Sequence, residues 1–419
     1  MNDTLQKGRF PGTKVAFLLY GYGLGNSPSL INAAKMLVAS GYSVDFFICG
    51  TFLGGLNFTE PEIRVFQFKK PGVWEGQDFV SKCVRFLQLK TAWIESLSPR
   101  SRQVINLLHK TKKYISAFAD EVSLQVGEGK YKCFVGVEPL GMMASERLSC
   151  LHQTPFVYYN LELHYEPDIS SVGELVMKKI EREFNLSAAF TITLDMERAH
   201  LIARENEIEE SSILTVPVCA EGEPCRKNTN YLRQKLGIAQ DKKIVLYAGF
   251  LADWAMCEEI AVSSRHWPDE WVLVFHTHGY DDADYINRVR KCSGKNVFFS
   301  MTPVDYESLA DLLASADVGV ALYRDLGVNF THVASASGKL AHYLKSGLPV
   351  VVNDYPSVLR VIDKYSCGVG ISSVEQMSVA VGKILANYDE MHEGAFRCYQ
   401  ENYRFSGYFQ KVIDRIEEL

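Results

Sequence analysis

Short apolar runs recur along this chain, each closed by a turn and followed by a stretch of helical spacing. In the first half they fall at Lys14–Tyr20, Ser43–Cys49, Ile63–Phe68, Tyr131–Val137, 156–160, 189–194 and 213–216. In the second half they fall at Lys243–Ala248, Trp271–His276, Val297–Ser300, 318–322 and Val350–Asn353. The apolarity is continuous more than alternating, which marks strands buried on both faces of a parallel sheet. Strands separated by helices build βαβ units, so the pattern predicts an α/β chain of doubly wound, Rossmann-like sheets.

The rhythm lapses over 219–240, where Glu221-Gly222-Glu223-Pro224 and Arg226-Lys227-Asn228 carry no apolar period. That stretch reads as a linker with a short helix at Tyr231–Leu236. A length of 419 residues exceeds the roughly 250–300 that one hydrophobic core sustains. Two Rossmann-like domains are therefore predicted, 1–218 and 219–399, with a closing segment 400–419 that ends in a helix.

Composition narrows the function. A net charge of −6 argues against nucleic-acid binding, which calls for a basic domain. The ten cysteines are scattered without a C-x-x-C, and Cys49, Cys133 and Cys367 lie inside apolar runs. Free thiols in a reducing compartment fit this better than disulfides or zinc. The first twelve residues are polar, and no apolar run approaches the roughly 20 residues of a membrane span. The expectation is a cytoplasmic protein, with any membrane contact peripheral and on the inner face. One stretch, 81–115, sets eight Lys/Arg against one Glu and interleaves Phe86, Trp93, Ile94 and Leu107. It reads as a solvated helical face, a grip for an anionic acceptor, or a contact with anionic lipid.

Two loops have the makings of ligand sites. Gly21-Tyr22-Gly23-Leu24-Gly25-Asn26-Ser27-Pro28 follows the first strand, with Ser27 as helix cap and Pro28 at the first helical position. Glycines let backbone approach a ligand, and a helix start offers free amides. A dinucleotide site is disfavoured, because the spacing is G-x-G-x-G and Asp45 lies mid-strand instead of at a strand tip. The second loop is Ser335-Ala336-Ser337-Gly338-Lys339-Leu340, running into a helix and then Gly347-Leu348-Pro349-Val350-Val351. Ser337 caps, Gly338 permits close approach, and Lys339 adds a cation at the positive helix end, all suited to a diphosphate.

Together these segments resemble the GT-B glycosyltransferases, the large family that includes retaining bacterial cell-envelope sugar transferases. The Gly338-Lys339-Leu340 helix and Gly-Leu-Pro-Val-Val strand resemble its donor-diphosphate segment. Lys243–Ala248 with Gly249, the segment Phe275-His276-Thr277-His278-Gly279, and the strand from Val318 are similar to further donor-domain motifs. Glu181-Arg182, Asp195-Met196-Glu197-Arg198-Ala199 and Val216-Pro217 resemble the end of its acceptor domain. The resemblance implies transfer of a sugar from a nucleoside-diphosphate donor to an acceptor, with no cofactor and no metal, retention of configuration being favoured. It implies an acceptor domain first, a donor domain second, and a final helix packing on the first. Gly249, Gly279, Tyr323, Arg324, Asn329, Ser337, Gly338, Lys339 and Leu340 are the implied donor-binding residues. Gly23, Leu24, Gly25 and Asn26 form the acceptor or sugar loop.

Glu138, Glu162 and His164 follow the fourth and fifth strands, at the carboxyl ends where open α/β sheets bind ligands. They are the candidate catalytic residues, as base or as positioning groups. Two departures from the family stand out. The stretch 326–339 lacks the glutamate pair of many retaining members, and Phe250-Leu251-Ala252-Asp253-Trp254 lacks an Arg/Lys pair. Lys339 and Arg324 are expected to take over neutralisation of the diphosphate. Two rivals keep the fold: a partner subunit without activity, and a nucleotide-sugar 2-epimerase. His276 with His278 does not make a metal site, lacking two further ligands, and Asp281-Asp282-Ala283-Asp284 reads as a helix cap.

Overall fold

The computed structural model describes residues 12–50, 58–69, 98–127, 129–226, 228–277, 282–304 and 308–419. The chain divides into two compact units, Met1–Val216 with Ser406–Leu419, and Pro217–Phe405. Each holds one sheet whose strands are all parallel.

The first unit carries seven strands: β1 Lys14–Tyr20, β2 Ser43–Cys49, β3 Ile63–Phe68, β4 Tyr131–Val137, β5 Phe156–Tyr159, β6 Thr191–Thr193 and β7 Ile213–Thr215. They are ordered β3-β2-β1-β4-β5-β6-β7. The second unit carries β8 Lys243–Ala248, β9 Trp271–His276, β10 Val297–Ser300, β11 Val318–Ala321, β12 Val350–Asn353 and β13 Gly368–Ile371, ordered β10-β9-β8-β11-β12-β13. Every strand expected from the apolar runs is present. The strand β13 was not expected, because Gly-Val-Gly-Ile is too short and too glycine-rich to stand out as an apolar run.

In each sheet the chain winds outward from a central strand and then returns to that strand's other side. The reversal falls between β1 and β4 in the first unit and between β8 and β11 in the second. Loops leaving the carboxyl ends of these strand pairs diverge and open a crevice, where doubly wound sheets bind ligands. The first pair ends at the Gly21 loop and Glu138; the second ends at Gly249 and Tyr323.

Core packing holds these ends in place. Ala16, Leu18, Phe47, Phe118, Phe134, Tyr158 and Ile180 pack together in the first unit. Val245, Tyr247, Phe275, Val320, Val351 and Ile384 do so in the second. Burying such side chains contributes roughly 1.5–3 kcal/mol each before ordering entropy is subtracted. Two glycines set the helix Glu138–His152 tight against the first sheet. A Cβ on Gly136 would lie 2.3 Å from the Cα of Met142, and one on Gly141 2.3 Å from the carbonyl oxygen of Leu18.

The helix Pro99–Val126 carries the described part of the basic stretch. It buries Val104, Ile115, Phe118 and Val122 and leaves Arg100, Lys110 and Lys113 exposed. Trp93, Phe86 and the rest of 81–97 lie outside the described residues. No described helix is long and apolar enough to cross a membrane.

Candidate functional site

At the β1/β4 reversal the structure brings the three candidate catalytic residues together. Glu138 opens its helix at φ 59°, left-handed backbone that a residue with a Cβ adopts only under constraint. Its carboxylate turns toward the segment after β5. Oε1 accepts from the amides of Leu161 at 2.7 Å and Glu162 at 3.1 Å, and Oε2 lies 3.7 Å from Nε2 of His164.

Protonation follows from this geometry. Loss of surrounding water and then the charge of Glu138 push the Glu162 carboxyl up to about 7, Arg198 and His164 pulling the other way. Glu162 stands at the mouth of the recess and still reaches solvent, so water screens part of both effects. Burial opposes charging of His164, but the hydrogen bond and charge of Glu138 outweigh it and raise the imidazole above its usual value. The hydroxyl of Tyr22 joins the group: burial, then Glu138 and Glu162, hold it far above the ordinary phenol range.

The glycine loop contributes differently from expectation. Leu24 is fully buried and anchors the loop in the core, so its side chain is not a ligand contact. Ser27 sits at the helix start without donating or accepting a side-chain cap, and Pro28 fills the first turn. The Ser27 hydroxyl meets Tyr22 instead. Gly23 precedes the single helical turn Leu24–Asn26, and Gly25 lies at its centre. Tyr22 was missed by sequence reasoning; its position between two glycines of the loop was the only signal.

Behind the cluster runs a buried polar network. Lys178, 3% exposed, pairs with Glu181 and Glu205 at 2.8 Å each. Glu181 accepts from the Tyr158 hydroxyl at 2.9 Å, and Asn160 donates to the Glu162 carbonyl at 2.8 Å. Arg198 is buried on Asp195. The Glu181-Arg182 and Asp195 to Arg198 segments thus form the floor under Glu162 and His164.

The β8/β11 reversal holds the second site. Ser337 caps the helix Gly338–Lys345, its Oγ accepting from the Leu340 amide at 3.0 Å and meeting the Tyr323 hydroxyl at 2.6 Å. The Ser337 amide is spent on Val333. Leu340 is core, with its amide in the cap, so neither its side chain nor its amide is open to a ligand. Gly338 is backed by Val218, 3.3 Å from where a Cβ would sit.

Lys339 runs back across the reversal. Its Nζ lies 3.8 Å from the ring centre of Tyr247 and 5.2 Å from that of Tyr323. The stem reaches solvent, but the ammonium is buried and has no hydrogen-bond partner among the described residues. Burial pulls it down to about 8. Gly249, at φ 150°, leaves room for it: a Cβ there would lie 3.2 Å from Cε of Lys339. Tyr247 fixes its own ring by donating to the Phe250 carbonyl at 2.5 Å. Tyr343 ties the helix to β8, accepting from the Ala248 amide at 2.7 Å. Tyr247 was missed because a tyrosine inside an apolar run reads as core.

The other candidates fall elsewhere. Arg324 is held by Glu259 at 2.5 Å and Asp253 at 3.1 Å, so its charge is already answered and it does not stand free for a diphosphate. Asn329 lies on the one-turn helix Val328–Thr331. Gly279 and His278 lie outside the described residues. His276 is buried against Ser300, its Nδ1 at 3.1 Å from Oγ. Among the described residues no three His, Cys, Asp or Glu gather as a metal site. Asp282 caps the helix Ala283–Cys292 through the amides of Asp284 and Tyr285. Asp45, fully buried, is occupied by Arg64 at 2.7 Å and the Tyr131 hydroxyl at 2.5 Å, which explains a mid-strand acid without any ribose.

No family model and no curated protein matches this sequence. Solved structures do match its fold. Sucrose-phosphate synthase from Thermosynechococcus elongatus superposes with a TM-score of 0.70 at 15% identity, covering 97% of this chain and 98% of its own. Anabaena HepE in complex with UDP-glucose gives 0.66 at 11%, covering 97% and 100%. WaaG, a glycosyltransferase involved in lipopolysaccharide biosynthesis, gives 0.58 at 16%, covering 96% and 99%. The chain accordingly has the two-domain α/β fold of the GT-B glycosyltransferases.

Proposed function

We propose that this protein is a glycosyltransferase that moves a hexosyl group from a nucleoside-diphosphate sugar to an acceptor hydroxyl. The observation that carries the reading is Lys339. A buried ammonium with no acceptor is costly, and an anion brought to it removes that cost. The amides of Gly338 and Lys339 begin the helix without a described acceptor, adding two donors and the positive helix end. A diphosphate is the anion that uses a cation and two adjacent amides together. HepE, of the same fold, has been solved with UDP-glucose, and a UDP-sugar is the donor proposed here.

The same groups perform the chemistry. As the glycosidic bond to the diphosphate breaks, negative charge grows on the leaving oxygen, and donors already aimed there stabilise it without reorganising. The positive charge and donors that meet it come from protein groups, which supports metal-independent transfer. His164 and Glu162 serve the acceptor. In the retaining course favoured here they orient its hydroxyl, and the leaving phosphate accepts the proton. In an inverting course one of them takes it.

The nine described cysteines are free thiols, which fits a cytoplasmic setting. Exposed Arg100, Lys110 and Lys113 support a peripheral contact with anionic membrane or an anionic acceptor. Slow release of UDP from a UDP-sugar in water, measured without any acceptor, tests the reading. Release that ceases in Lys339→Met supports it. No release from any nucleoside-diphosphate sugar removes it in favour of a partner subunit without activity.

A further inference from the structure

Glu138, Glu162 and His164 are three ionisable side chains within one recess, yet their geometry gives them unequal roles. Both oxygens of Glu138 are committed within the chain. Oε1 takes two successive backbone amides, Leu161 and Glu162, and Oε2 faces Nε2 of His164. Its side chain is 12% exposed, against 17% for His164, and Glu162 stands outermost. Nδ1 of His164 makes no hydrogen bond to a described residue.

We propose that Glu138 is a positioning residue that never touches the substrate: it clamps the segment 161–164 by its two amide contacts and turns His164 so that Nδ1 is the nitrogen presented to the ligand. This rests on the sugar-transfer reading for what the ligand is, but not for the clamp itself.

The backbone supports the assignment. Residues 161–164 leave β5 with no strand partner, so their amides need acceptors supplied from elsewhere. One carboxylate from the neighbouring strand end supplies two of them. Glu138 reaches that place only because its φ of 59° swings the side chain sideways at the junction of β4 and its helix. Gly136 and Gly141 press that helix onto the sheet and fix the junction. A left-handed non-glycine residue is retained where its side chain is needed, since glycine would relieve the strain at once.

The charged groups that interact with His164 are Glu138 from the β4 junction, Glu162 from its own segment, and Glu174, Lys178 and Glu181 from the helix Val172–Asn185. Glu138 and Glu181 favour the imidazolium; burial and Lys178 oppose it. Removing the charge of Glu138 while keeping its shape therefore separates clamping from charging. Glu138→Gln keeps an oxygen for the two amides but loses the carboxylate. Glu138→Ala loses both.

The test uses the whole chain, without substrate. Ring resonances of His164, identified by their loss in His164→Gln, are followed by NMR through a pH titration. Amide exchange of Leu161 and Glu162 is measured alongside. In Glu138→Gln the His164 midpoint falls by about one pH unit, a roughly tenfold loss of proton affinity, while both amides stay protected. In Glu138→Ala both amides exchange fast. Glu138→Asp keeps the raised midpoint, which serves if the glutamine variant fails to fold. A His164 midpoint that is the same in wild type and Glu138→Gln, or amide protection unchanged in Glu138→Ala, overturns the clamp. Failure of UDP release with the clamp intact would instead remove only the sugar-transfer reading.

Discussion

The two sheet reversals solve the same architectural problem with opposite electrostatics. In the first unit the buried charges at the site are answered: Glu138 by two amides and His164, Lys178 by Glu181 and Glu205, Arg198 by Asp195. In the second, Lys339 is left with aromatic faces and no acceptor among the described residues. Answered charges stabilise a fold and preset geometry. An unanswered one is a debt that a ligand can settle. The difference separates a site that holds shape and shares protons from a site that waits for an anion.

The largest test of that contrast is Lys178→Met. It leaves Glu181 and Glu205 buried without their common cation, and breaking such an arrangement costs about 3–5 kcal/mol. Denaturant unfolding should show this loss; a stability equal to wild type would show that the first unit is not held by its paired charges. Lys339→Met makes the reverse case. Unfolding free energy should not fall, because a buried unpartnered ammonium is exchanged for a thioether of similar reach. Affinity for a nucleoside diphosphate should drop by about 2–3 kcal/mol, the worth of a charge-assisted hydrogen bond with its desolvation.

A pH effect follows from the same residue. Lys339 is pulled from 10.5 to about 8 in the folded chain. Between those values the unfolded chain binds the extra proton, so stability rises with pH there, relative to Lys339→Met. A flat difference across that window would mean the ammonium is better hydrated than its burial implies. The smallest effect belongs to Glu162, raised to about 7 in the folded chain from 4.5. Here the folded chain holds the extra proton between the two values, so stability falls as pH rises through them. Glu162→Gln should remove a shallow slope, softened by the solvent at the mouth of the recess; a steep slope persisting in the variant would assign it to another group.

Much of the architecture could be read in the sequence, and the reason is physical. Parallel strands buried on both faces need unbroken apolar runs, and Lys14–Tyr20 or Lys243–Ala248 announce themselves by that alone. The short strand Gly368–Ile371 does not, since half of it is glycine. Among site residues, those at strand ends were legible because topology puts ligands there: Glu138, Glu162 and His164 do converge. What the sequence could not give was side-chain direction. Arg324 looked free until Glu259 and Asp253 were seen on it. Leu24 and Leu340 lie in ligand-like loops but point into the core. Tyr22 and Tyr247 act through rings and hydroxyls whose neighbours come from distant segments, and no local spacing encodes that.

The central claim is most directly met by thermal unfolding of wild type and Lys339→Met with and without UDP. At a hundred times its dissociation constant, a ligand of the folded chain adds about 2.7 kcal/mol of stability. The account predicts a clear rise in melting temperature for wild type and, at the same UDP concentration, little or none for Lys339→Met. Equal stabilisation of both proteins, or none of either by UDP or other nucleoside diphosphates, would contradict it.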